Sequence, residues 1–108
     1  MAKKPFSELE LIAILKRYKK KLEDMDIPVQ KIYLYGSYVK GTAHFDSDID
    51  ICVISPSFTD KVDATMTLMK LRDDSELDLS PVAFLPQNFV DENPLAYEIR
   101  LTGRAMSF

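Results

Sequence analysis

The sequence predicts an α/β (α+β) fold, a small mixed β-sheet flanked by helices. Segments with apolar residues at three- and four-residue spacing alternate with short stretches rich in β-branched and aromatic residues. The residues between them are cap and breaker types: Ser7, Pro28, Gly41, Pro56, Asn93-Pro94 and Gly103. The composition, 46% hydrophobic and 29% charged, is that of an ordinary globular protein. With 108 residues the chain is expected to form one domain, residues 1–108, around a modest core.

Each element has its own local cause. Ser7-x-x-Glu10 after Phe6 reads as a capping box, in which each side chain satisfies an orphan N–H at a helix start. Leu11, Leu15, Tyr18, Leu22 and Met25 then form a single apolar stripe, and Pro28 blocks continuation. A strand is expected from Val29 to Tyr35, running into Gly36-Ser37. One helical turn fits between Ser37 and Gly41, with Ser37 at its N-terminus and Gly41 ending it. A polar loop, Thr42 to Ser47, leads to a second strand at Asp48–Ile54. Thr59 or Asp60 caps a further helix whose apolar residues are Val62, Met66 and Met69, with Leu68 and Leu71 beside them; the methionines are read as core. Asp73-Asp74-Ser75 breaks that helix. A third strand is expected from Glu76 to Phe84, with Pro81 indicating an edge, bend or bulge. Asn93-Pro94 starts the last helix, Gly103 ends it, and Ala105–Phe108 forms a short final strand.

Several function classes are disfavoured. No apolar run approaches the roughly 18–20 residues that cross a bilayer. Met1-Ala2-Lys3-Lys4 has no apolar stretch behind it, so no signal peptide is expected. The lone Cys52 has no partner at metal-ligand spacing and is read as a small apolar packing residue. Together these suggest a cytoplasmic setting without membrane contact. A net charge of −3 offers no global field for a polyanion, and direct nucleic-acid binding is not expected. Lys16, Arg17, Lys19, Lys20 and Lys21 crowd the first helix, which reads as a solvated face or a local contact with RNA or an acidic partner.

The chemistry concentrates between Gly36 and Asp50. Asp48 and Asp50 stand two apart on a predicted strand, so both carboxylates leave one face while Ile49, Ile51 and Val53 take the other. Neighbouring carboxylates repel unless a cation intervenes, and oxygen donors at this spacing suit Mg²⁺. Glu76-Leu77-Asp78-Leu79-Ser80 repeats the logic, with Leu77 and Leu79 inward and Asp78 outward. If the two strands are neighbours, Asp78 joins the pair, and such a trio can clamp two ions for an in-line phosphoryl displacement. Gly36-Ser37 lets main chain approach phosphate at a helix start, with a serine hydroxyl to add a hydrogen bond. His44, Tyr33 and Tyr35 read as loop surface and strand packing, and Tyr38 as the tyrosine with a route to the pocket.

A strand, Gly36-Ser37, a ten-residue spacer and Asp48-x-Asp50 resemble the signature of the polymerase-β-type nucleotidyltransferase superfamily. In length and layout the chain resembles its minimal nucleotidyltransferase branch, often paired with a HEPN-domain protein in toxin–antitoxin modules. The resemblance implies the nucleotidyltransferase fold, ATP as substrate and one or two Mg²⁺ ions. It also implies Asp48, Asp50 and Asp78 as catalytic and metal-holding residues, with Gly36, Ser37, Lys40 and Ser47 binding the nucleotide. Many members carry arginine before the second glycine; Lys40 keeps the charge and loses the bidentate fork. The expected activity is transfer of AMP to a hydroxyl, a tyrosine, of a HEPN-domain toxin. The alternatives are a nucleotide-binding antitoxin that acts sterically, or a small-molecule nucleotidyltransferase completed by a second subunit. The residues are mostly accounted for by the triphosphate site, so the acceptor surface is expected from another chain, in a homo- or hetero-oligomer.

Overall fold

A computed structural model describes residues 5–108. Residues 1–4, on which the expectation about a signal peptide rests, lie outside them. The chain runs α1 (Glu8–Asp24), β1 (Lys31–Tyr35), α2 (Ser37–Lys40), β2 (Ile49–Ile54), α3 (Lys61–Lys70), β3 (Leu79–Phe84), α4 (Pro94–Thr102) and β4 (Arg104–Ala105). Short 3-10 turns occupy Asp74–Glu76 and Pro86–Asn88. The strands form one sheet in the order β3-β2-β1-β4. It is mixed: β2 runs antiparallel to β1 and parallel to β3, and β1 runs antiparallel to β4.

Strand parity divides the interior into two layers. Ile49, Ile51 and Val53 face α1 and α3, where Leu11, Leu15, Tyr18, Leu22, Leu68 and Leu79 complete the larger core. The opposite parity, Cys52 and Ile54 with Phe84 of β3, packs under Ala96 and Ile99 of α4. Burial of these side chains is the main drive for the assembly. The buried Tyr18 hydroxyl donates to the Leu68 carbonyl at 2.5 Å, tying α1 to α3.

The expected capping box is present: Ser7 Oγ accepts from the Glu10 amide at 3.2 Å, and Glu10 Oε1 accepts from the Ser7 amide at 2.9 Å. Asp60 and Asn93 cap α3 and α4 through their side chains. Gly103 is a packing necessity, since a Cβ there would collide with the Ile99 carbonyl and lie 3.1 Å from that of Leu34.

Four expectations need correction. Met25 is exposed, because it is the C-cap of α1 and Asp26 then turns the chain away at φ 63°. Val62, Met66 and Met69 are exposed too; α3 buries Ala64 and Leu68 instead. The third strand starts at Leu79 rather than Glu76, because Asp73 caps a 3-10 turn through a capping box with Glu76. Leu77 therefore sits in a turn and is exposed, whereas Glu76 is buried. The last strand is limited to Arg104–Ala105. Pro81 does lie in an edge strand: among the described residues β3 pairs only with β2.

Candidate active site

β1 leaves the sheet at Tyr35 and turns at Gly36 into α2. Gly36 occupies the cap position of α2 at φ 77°, a region where side chains are strained. A Cβ at Gly36 would also run into Asp50 Oδ2 and lie 3.2 Å from Asp50 Cγ. Glycine is thus needed twice, for the turn and for the room that the carboxylate takes. Ser37 is the first residue of α2 and not its cap, so its hydroxyl is not engaged in capping. The first amides of a helix lack intrahelical partners, an arrangement suited to phosphate.

Asp48 lies one residue before β2 and is exposed, while Asp50 is half-buried within it. Asp50 pairs across the sheet with Tyr35 of β1 and Ser80 of β3. Burial, and then the charge of Asp48, hold the Asp50 carboxyl above the usual carboxylate range. Tyr35 is half-buried beside it, and burial followed by the Asp50 charge pushes its phenol up to about 12. It therefore stays protonated at neutral pH. Tyr35 and Ser80 flank Asp50 by register, and Tyr35 packs against the core under α4, as expected of a strand residue.

Asp78 lies in the turn before β3 and is exposed. Its carbonyl accepts the Ile49 amide at 2.8 Å, which continues the β2–β3 ladder by one step and aligns Asp78 with Asp48. The three acids thus approach one end of the sheet from two neighbouring strands. Among the described residues no group of three His, Cys, Asp or Glu side chains is gathered tightly enough to hold an ion. The donors that the register does bring to this end are carboxylate oxygens, and Asp50 shows the mutual repulsion that a divalent cation relieves. By donor chemistry the residues fit Mg²⁺.

The remaining candidates have local partners. Lys40 Nζ is 3.7 Å from Glu98 Oε1 of α4, an exposed pair of small energetic weight. Ser47 Oγ accepts from the His44 amide at 2.9 Å, and the His44 imidazole contacts Asp46. The Tyr38 hydroxyl accepts from the Phe6 amide at 3.2 Å, which ties it to the start of α1. Cys52 is buried, and its thiol is pushed up to about 12 by that burial. On α1, Arg17, Lys19, Lys20 and Lys21 all pair with acidic residues of the chain, as a structural face does.

The nucleotidyltransferase domain family matches residues 15–103, which takes in the second half of α1, the Gly36 turn, all three acids and α4. The chain belongs to this family. The chain is 42% identical over 62 residues to the protein adenylyltransferase MntA of Shewanella oneidensis. That match takes in 56% of this chain and 45% of the relative, so the chain spans less than half of that protein's length in the match. Among solved structures it is similar to a chain of a toxin–antitoxin crystal structure with AMP-PNP. The TM-score is 0.59 and the identity 32%, covering 87% of this chain and 70% of that one. It is also similar to chains from two mutant forms of the toxin–antitoxin MntA–HpeT. Those have TM-scores of 0.53 and 0.54 at 28% and 29% identity, covering 93% and 95% of this chain and 72% and 73% of theirs. No helix among the described residues is long and apolar enough to cross a membrane.

Proposed function

We propose that this nucleotidyltransferase moves AMP from Mg²⁺-bound ATP to a tyrosyl hydroxyl of a HEPN-domain toxin and so acts as its antitoxin. One observation carries the reading: the β2–β3 register aligns Asp78 with Asp48, beside Asp50 and the Gly36 turn. The names of the relatives, a protein adenylyltransferase and toxin–antitoxin complexes, support the choice of acceptor class.

In this scheme Gly36 and Ser37 receive the triphosphate at the start of α2, with Lys40 adding positive charge nearby. Asp48, Asp50 and Asp78 hold the divalent cation, whose charge supplies electrostatic stabilisation for the phosphates during transfer. The acceptor oxygen bonds to the α-phosphorus as the bond from that phosphorus to the α,β-bridging oxygen breaks. Pyrophosphate leaves, and an Asp78 carboxylate oxygen takes the hydroxyl proton. Fixing both reactants in line removes part of the entropic barrier to the transfer.

The test is to co-purify the chain with the product of its neighbouring gene and take intact masses with and without ATP and Mg²⁺. The partner is expected to gain the mass of one AMP group, and Asp48→Asn or Asp50→Asn to abolish that gain. No gain with an authentic partner, together with unimpaired neutralisation by both variants, would replace this reading with steric binding. Consumption of ATP only on adding a small alcohol or amino-sugar would replace it with a small-molecule acceptor.

A further inference from the structure

Asp78 lies where neither helix nor sheet regularity sets its main chain, since the 3-10 turn ends at Glu76 and β3 begins at Leu79. Three successive carbonyls there are nevertheless held. Arg72 Nη1 donates to the Leu77 carbonyl at 3.2 Å and to the Leu79 carbonyl at 2.8 Å. Between them the Asp78 carbonyl accepts from the Ile49 amide at 2.8 Å. Arg72 Nε donates to the Met69 carbonyl at 2.9 Å, which anchors the guanidinium to the last turn of α3. Among the described residues Arg72 forms no ion pair with a carboxylate, so its hydrogen bonds there all go to main-chain carbonyls. On the other flank Glu76 is buried. It accepts from the Asp73 amide at 2.9 Å and from Lys21, with Arg17 Nε at 3.6 Å. The turn that carries Asp78 is thereby pinned to α1 ahead of the acid and to α3 around it.

We propose that Arg72 is a positioning residue for Asp78: by gripping the carbonyls on either side of it, Arg72 sets the direction in which the Asp78 carboxylate leaves the turn. A planar guanidinium can bridge carbonyls of two residues while a third donor holds the helix. An ammonium is a point charge without that fixed fork. Partners of this kind, which orient a metal-holding group without touching the metal, typically alter affinity when removed. The inference rests on the assignment of Asp78 as a metal-holding residue in the proposed function.

The test uses the full chain with Mn²⁺ as the probe, its free concentration read from its paramagnetic resonance signal. Wild type, Arg72→Lys, Arg72→Met, Asp78→Asn and the Arg72→Lys/Asp78→Asn double variant are compared. Arg72→Lys retains the charge and is expected to keep the wild-type circular dichroism, so it carries the comparison if Arg72→Met does not fold. Arg72→Lys is expected to raise the Mn²⁺ half-saturation by about 10- to 100-fold. In the Asp78→Asn background it is expected to add little, as two residues acting through one contact should. Half-saturation unchanged in Arg72→Lys while Asp78→Asn weakens binding overturns this inference alone. So does an equal loss from Arg72→Lys in both backgrounds, which would mark a general effect on the fold. Half-saturation unchanged in Asp78→Asn itself overturns the assignment of Asp78, and this inference with it.

Discussion

Asp50 and Gly36 show how closely the candidate site is built. The Asp50 carboxylate occupies the space that a Cβ at position 36 would need, and Gly36 itself lies in the left-handed region. Gly36→Ala is expected to lose about 2 kcal/mol or more through backbone strain and collision, read as a shift in the urea midpoint. Asp50 is itself a stability cost, since burial and Asp48 raise its carboxyl above the ordinary value. The folded chain then holds that proton to higher pH than the unfolded chain does. Between the two values the native state binds more protons, so stability falls as pH rises through that interval. Asp50→Asn is therefore expected to raise the melting temperature in metal-free buffer at pH 7, and the advantage should shrink as pH falls towards the ordinary carboxylate value. The gain should stay below about 1 kcal/mol, because solvent screens a carboxylate this exposed. Asp48-Ile49-Asp50 was legible in the sequence because strand alternation is strictly two-residue. The Gly36–Asp50 contact was not, since it depends on how β1 and β2 are registered.

At the level of elements, the two misread segments have a common cause. Both Val62-x-x-x-Met66-x-x-Met69 and Ala64-x-x-x-Leu68 are spaced for a helical stripe, and size alone favours the larger side chains for burial. The smaller pair faces the core cluster under the sheet, so the methionines remain outside. Met66→Lys is expected to change stability by no more than about 0.5 kcal/mol in urea denaturation, as exposed substitutions do. The second segment, Glu76-Leu77-Asp78-Leu79, alternates like a strand, but Asp73-x-x-Glu76 is also a capping box, and the cap prevails. Glu76 then enters the interior and is met there by Lys21 and the Asp73 amide. Glu76→Ala is expected to cost about 2 kcal/mol of unfolding free energy, the scale of losing a charge-assisted hydrogen bond. The caps of α1, α3 and α4 were legible because each depends only on side chains within three residues of the helix start.

For the whole molecule, the decisive arrangement is β2 lying between an antiparallel neighbour and a parallel one. That geometry gathers the end of β1 and the starts of β2 and β3 at one rim, where the glycine turn and the acids lie. Alternating helical and strand patterns indicated the class of fold, and the Gly36-Ser37 to Asp50 pattern indicated the family. The order of strands was beyond local pattern, because it follows from α3 crossing between β2 and β3 and from two layers packing on opposite faces. The same arrangement gives the molecule a built-in reporter. Cys52, the single cysteine, lies mid-strand in β2, fully buried, two residues from Asp50. A thiol reagent can modify it only when α4 lifts from this face or the sheet parts, so its labelling half-time measures the opening of the layer that covers the strand bearing Asp50. ATP with Mg²⁺ is expected to lengthen that half-time, and the protection should vanish in Asp48→Asn.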